Sequence, residues 1–401
     1  MRKNSASALI SSLAVAGLLV TACSSSTGAS DASSSAPAAA SAAAGSVAPS
    51  EPAAASASAA ADPAQACVDE AAAAVEAARA QIAPNIPAET LDVSSLKGKT
   101  IWFLSATQQL PVMVAFSEGA KKAAAAAGLD FKIFDGESAP AKFNEGVTRA
   151  VDQGAAGIIL QGIDPALVKA PLADAAAAGI PIVDAMNGDP DAPLTDGIAS
   201  HVTVNFTESG KLMADYILAN TNCQAQILEL TNSVYVALKN KSAGFNGEIQ
   251  RLCPTCTVDT QEVDFAQITS SVDSIIRTGL QKNPDINYVM GADDGISFFA
   301  VPALQAIGSK VPLVSGNGVP ANMEFIAKGQ NQNMDVSFPP NEQAGWQEVD
   351  LLLRDMLKLT VPSGAVPQQV IDASNIAADP TQQFPLFDGY EDSYKQLWGV
   401  S

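Results

Sequence analysis

The chain has 401 residues, 47% of them apolar, and a formal net charge of −20 from 22 Lys and Arg against 42 Asp and Glu. That length exceeds one typical domain, and the apolar content is ample for two buried cores. The acidic balance argues against a surface that tracks phosphates, so nucleic acid is not an expected partner.

Arg2 and Lys3 precede an apolar stretch from Ala8 to Val20, shorter than the roughly 20 residues a spanning helix needs. Residues 1–22 are expected to be a signal peptide. The stretch closes as Leu19-Val20-Thr21-Ala22-Cys23, which resembles the lipobox of bacterial lipoproteins. That resemblance implies cleavage before Cys23, lipidation of its thiol, and an extracytoplasmic protein anchored to the cell membrane, since two or three acyl chains hold where one does not. Residues 23–66 are almost entirely Ala, Ser, Pro and Gly. Such side chains bury too little area to offset chain entropy, so a disordered tether is expected, with ends about 35 Å apart.

Cys67, Cys223, Cys253 and Cys256 follow. Outside the cytoplasm an even set argues for disulfides, with three possible connectivities. Cys253-Pro-Thr-Cys256 has the spacing of a redox motif, but it precedes a strand rather than opening a helix. A bridge from Cys223 to Cys253 or Cys256 is expected, because both lie just before strands that would be neighbours. Cys67, heading a short Ala-rich helix in a 67–96 lead-in, would take the remaining partner.

From Lys99 short apolar runs alternate with Ala-rich amphipathic stretches. The runs are Ile101–Leu104, Phe131–Phe134, Gly157–Leu160, Ile180–Val183 and His201–Val204, then Gln226–Leu230, Val258–Val263, Ile286–Met290 and Val311–Val314. Helices are expected over Phe116–Ala127, Phe143–Gln153 and Ala166–Ala178. Short, continuously apolar strands are those of parallel sheets covered on both faces. The fold class is α/β, with two doubly wound parallel-sheet lobes. Such sheets bind ligands beyond the carboxyl ends of their strands, and a cleft between them is the default site.

Several segments in order, Ser117-Glu118-Gly119-Ala120, Gly154–Leu160, Ala178–Val183, Gly244-Phe245, Asp264-Phe265 and Gly291-Ala292-Asp293-Asp294, resemble the ribose-binding, sugar-transport branch of the type I periplasmic binding proteins. The resemblance spans residues 99 to about 375. It implies three chain crossings between lobes, near Val202–Asn205, Val336–Phe338 and Val370–Ala373. The lobes would be residues 97–203 with 339–368, and 204–338 with 369–401. It also implies a monomer that delivers a sugar or polyol to the permease of an ABC transporter, without cofactor, metal or catalysis.

Carried across by position, the resemblance implies ligand contacts from Ser105, Gln109, Met113, Asp184 and Asn187 in the first lobe. In the second it implies Tyr235, Lys241, Phe265, Asp293 and Asn317, with Phe338 at a crossing. The sequence departs from the ribose-binding pattern, which has two aromatic residues at Val112 and Met113, an Asp-Arg pair at Met186 and Asn187, and an Arg near Lys241. Loss of guanidinium forks points to a ligand less polar than ribose, or differently shaped.

Each candidate has a plainer reading. Asp293 caps a helix, Asn317 makes a turn between two glycines, Phe265 and Phe338 are core rings, and Trp346 and Gln347 pack. Asp184 and Asp293 facing each other across a cleft would allow glycoside hydrolysis. The lone histidine, His201, rules out a relay needing two. A regulator of this core would need a DNA-binding helix-turn-helix before the first lobe, where a lipobox and tether stand instead. A sensory lipoprotein presenting its ligand to a receptor or histidine kinase is the alternative to transport. The segment from Asn375 to Trp398 is expected to be a tail strapped along a lobe.

Overall fold

A computed structural model describes residues 62–338, 340–362 and 364–400. The stretch expected as a signal peptide, Cys23 and nearly all of the expected tether lie outside these. In chain order the helices and strands are α1 (Pro63–Ala78), β1 (Thr100–Ser105), α2 (Pro111–Ala126), β2 (Asp130–Asp135), α3 (Pro140–Asp152), β3 (Gly157–Gln161), α4 (Lys169–Ala177), β4 (Ile182–Ala185), β5 (Ser200–Val202), α5 (Phe206–Asn220) and β6 (Gln226–Thr231). There follow α6 (Val236–Leu252), β7 (Thr257–Glu262), α7 (Ile268–Lys282), β8 (Tyr288–Gly291), α8 (Asp294–Ala306), β9 (Leu313–Gly316), α9 (Pro320–Ala327), β10 (Gln332–Ser337), α10 (Asn341–Leu357), β11 (Gln369–Asp372) and α11 (Tyr390–Leu397). Helix α1 starts four residues inside the stretch expected as tether, with Asp62 accepting from the Ala64 N–H and Pro63 in its first turn, where a missing N–H costs nothing. Among the described residues no helix is long and apolar enough to cross a membrane.

Two sheets form, in the orders β2-β1-β3-β4-β5 and β11-β10-β9-β8-β6-β7. All pairings are parallel except β10 with β11. The interior strand β3 reads Gly-Ile-Ile-Leu-Gln and is buried throughout, whereas the edge strand β2 alternates charged and apolar residues and is largely open. Strand β4 begins at Ile182, not Ile180. Pro181 has no N–H to give the ladder, although its carbonyl accepts from Ile158.

Helices α5 and α6 cover the second sheet in close contact through glycines. A Cβ on Gly244 would overlap the carbonyl oxygen of Thr207, and one on Gly210 that of Lys241. Backbones approach this closely only where no side chain intervenes.

The chain passes from the first lobe to the second between β5 and α5, back between β10 and α10, and again after α10. That third passage lies earlier than Val370, because β11 already belongs to the second sheet. It is pinned to the first passage by Thr203 N–H donating to Gly364 and Val366 N–H donating to Thr203, at 3.0 and 2.9 Å.

Two further segments span the lobes. Helix α1 is bridged to the second lobe by Cys67–Cys223, and Arg79 pairs with Asp372 at 2.6 Å. The chain then reaches the first lobe, where the Glu89 carbonyl accepts from Arg354 at 2.9 Å and Leu91, Val93 and Leu96 are buried. The C-terminal segment, expected wholly on the second lobe, returns to the first. There α11 lays Trp398 on Trp346 of α10, ring centroids 5.4 Å apart and 13° from parallel. The Trp398 indole donates to Asp350 at 2.7 Å, and Asp350 also pairs with the buried Arg354 at 2.9 Å. Trp346 is therefore a packing residue.

The remaining bridge joins Cys253 to Cys256, so the expected link from Cys223 to either does not form. The three sites are nonetheless adjacent, with Cys253 Sγ 3.0 Å from the Cys223 carbonyl. Cys253 closes the C-terminal end of α6, opposite to the helix N-terminus that lowers a reactive thiol's pKa.

Candidate functional site

Between the two sheets, at the carboxyl ends of their strands, lies a small, partly open cavity. From the first lobe come Leu110, Val112, Met113 and Phe116, which follow β1, then Gly162 after β3, and Met186 and Asn187 after β4. The second lobe supplies Tyr235, Ala237 and Leu238 after β6, Phe265 after β7, Asp293 after β8, Asn317 after β9 and Phe338 after β10. Phe206 enters from the first turn of α5. Every contributing loop leaves a strand at its carboxyl end or opens the helix after a crossing, which is where doubly wound sheets leave a crevice.

Of the residues proposed from sequence, the structure brings Met113, Asn187, Tyr235, Phe265, Asp293, Asn317 and Phe338 to this wall. Ser105 is not on it: its buried hydroxyl donates to the Thr107 carbonyl at 2.7 Å and accepts from Gln108 at 2.8 Å. Gln109 lines a neighbouring surface groove together with Phe265. Asp184 lies behind Asn187, whose amide donates to it and, at 3.0 Å, to the Ile163 carbonyl. Lys241 is fully enclosed, its ammonium donating to the Ala292 carbonyl at 3.0 Å and to Asn317 Oδ1 at 2.7 Å. Asp184 and Asp293 therefore do not form a carboxylate pair facing a common space. His201 sits on β5, off the cavity.

Asp293 fills both roles considered for it. Its Oδ1 accepts from the Ile296 N–H at 2.8 Å, capping α8, while the residue lines the cavity. The neighbouring Asp294 accepts from Ser315 Oγ and the Val319 N–H, both at 2.7 Å, and ties α8 to the loop carrying Asn317. Burial pushes the Asp293 carboxyl up, against the pull of the Ile296 N–H and Lys241. Burial likewise pushes the Lys241 ammonium down, against Asp293, Asp294 and Asp335. Met186 and Asn317 hold positive φ angles of 58° and 138°. Strained non-glycine backbone of this kind gathers where a site over-determines it.

Most of the wall is apolar. Leu110, Phe116, Phe206, Ala237 and Leu238 were not foreseen, because apolar residues in helix starts read as core, while Val112 and Met186 were noted only as departures from the ribose-binding pattern. Their shared signal is position, in the loops that leave the strands' carboxyl ends and in the opening turns of the helices that follow. Phe116 and Phe338 stack at 6.2 Å, and Tyr235 lies 5.2 Å from Phe265. Among the described residues no group of three or more His, Cys, Asp or Glu side chains is placed to hold a metal ion.

Residues 101–354 match the family model described as periplasmic binding protein domain. The ribose import binding protein of Escherichia coli K12 is 24% identical over 244 residues, 60% of this chain and 80% of that protein. Among solved structures, the arabinose-transporter binding protein of Shewanella sp. ANA-3, bound to L-arabinofuranose, superposes with a TM-score of 0.62 at 22% identity, covering 73% of this chain and 98% of that one. A solute-binding protein of Mycobacterium smegmatis with bound glycerol gives 0.62 at 23%, covering 69% and 95%. At these identities the structural likeness carries the fold, that of the type I periplasmic binding proteins.

Proposed function

This chain belongs to the periplasmic binding protein family, extracytoplasmic proteins that bind solutes and are not enzymes, and from that premise we propose that it captures a small sugar- or polyol-like molecule between its lobes for an ABC importer. The observation that carries this reading is a cavity whose wall is supplied from both lobes, at the ends of both sheets. Contacts made by two bodies to one guest exist only when the bodies are together, so ligand shifts a hinge equilibrium toward closure. The ligands of these relatives, ribose, arabinofuranose and glycerol, are all small, neutral and hydroxylated. The Cys23 lipobox and the tether behind it suit a protein held at the membrane face, within reach of a permease.

The test combines a thermal-shift screen of neutral sugars and polyols with small-angle scattering. A hit is expected to raise the melting temperature and reduce the radius of gyration. Identical scattering curves with and without a saturating hit would refute closure.

A further inference from the structure

Resting on that reading, we infer that the ligand is a hydroxyl-poor ring without anionic groups, held by apolar faces and by a few hydrogen bonds along one edge. The polar inventory of the wall is short. Asn187 spends its amide N–H groups on Ile163, Asp184 and Ala185, which leaves its Oδ1 as an acceptor. Tyr235 donates its hydroxyl proton to Ser138 and keeps only acceptor capacity. Asp293 is an acceptor while ionised, and Asn317, with Oδ1 taken by Lys241, offers its amide N–H groups. A guest therefore meets three acceptors and one donor.

The rest of the surface is ring and aliphatic side chain, with Phe116 stacked on Phe338 and Tyr235 against Phe265. A fully hydroxylated ring would bury hydroxyls against carbon, and each one left unpaired weakens binding by roughly tenfold. Among the described residues no cation lines the wall. The nearest, Lys241, is enclosed and engaged with Ala292 and Asn317, so a carboxylate or phosphate would enter without a counter-charge and beside Asp293.

The experiment is isothermal titration of the purified full chain with six-membered rings of falling hydroxyl count: myo-inositol, L-fucose and trans-cyclohexane-1,2-diol, with cyclohexanecarboxylate as the anionic probe. Affinity is expected to rise along the series, the diol at least tenfold tighter than myo-inositol, with no saturable heat from the carboxylate. Phe265→Ala is expected to weaken the diol about tenfold, and Phe298→Ala, at an exposed ring off the cavity, to leave it unchanged. If myo-inositol or L-fucose binds as tightly as the diol or more so, or if the carboxylate binds, the inference falls while solute binding stands. If none of the rings binds while the screen of sugars and polyols gives a hit, the inference falls alone; if that screen is empty as well, both readings fall.

Discussion

The hydroxyl of Tyr235, on the second lobe, donates to the Oγ of Ser138, on the first, across 2.9 Å. Leu110 of the first lobe likewise packs so close to Gly295 of the second that a Cβ there would sit 2.9 Å from its Cδ2. The two lobes thus meet directly through two residues of the cavity wall, Tyr235 and Leu110, in the arrangement a trapped guest requires.

Tyr235→Phe removes the bond and keeps the ring. A hydrogen bond of this kind contributes about 1 kcal/mol, which is then missing from the closed form alone. Ligand affinity is expected to weaken about fivefold, and the ligand-free radius of gyration to grow. An unchanged dissociation constant would show that the contact does not help closure.

The Cys67–Cys223 bridge closes a span of 156 residues, whereas Cys253–Cys256 spans three. Chain entropy removed from the unfolded state grows with the span. Replacing Cys67 and Cys223 by serine is expected to cost about 4 kcal/mol in urea unfolding, and replacing the other pair less than half of that. Equal losses would show that the long span carries no such weight.

Trp398→Ala removes a stacked, buried ring and the donor to Asp350, with an expected loss of about 3–5 kcal/mol. Trp398→Phe keeps much of the packing and should recover more than half, measured by the same unfolding. A change within error for the alanine variant would mean that the C-terminal segment is not needed for stability.

Burial pushes both Asp184 and Asp215 up to about 7, the latter also through its neighbour Glu248. Unfolded, such carboxyls ionise near 4. Between about pH 4 and 7 the folded state thus holds more protons than the unfolded one, and stability falls as pH rises through that window. The melting temperature is expected to be higher at pH 5 than at pH 8. Asp184→Asn should raise it at pH 8 and flatten the profile, and a wild-type profile rising with pH would contradict this account.

Gly244→Ala sets a methyl against the Thr207 carbonyl, where α5 and α6 touch. Overpacking of this kind costs about 1–3 kcal/mol, and the displaced α6 carries Lys241, which orients Asn317. Both melting temperature and ligand affinity should drop, whereas Gly247→Ala, with open space around it in the same helix, should leave affinity unchanged and raise the melting temperature slightly, alanine being the better helix former.

Much of the fold is legible because a buried parallel strand has one simple requirement, side chains that accept oil on both faces. Ile101–Leu104 and Gly157–Leu160 announce themselves in this way. Strand β10, Gln332–Ser337, does not: its polar residues find partners only in the folded state, as Gln332 does in Asn322 and Asp335. The site residues divide similarly. Asp293 and Phe265 follow strand ends and reach the cavity, but Lys241 and Ser105 carry equally plausible chemistry and are consumed by internal partners.

By itself, then, the order of apolar runs and helix stops determined the lobes and their crevice, since periodicity and strand length are local properties of the chain. The pairing of Cys67 with Cys223, the return of Trp398 to the first lobe and the apolar character of the cavity wall were decided only in three dimensions. Each depends on which surfaces meet across hundreds of residues, and no local pattern encodes that distance.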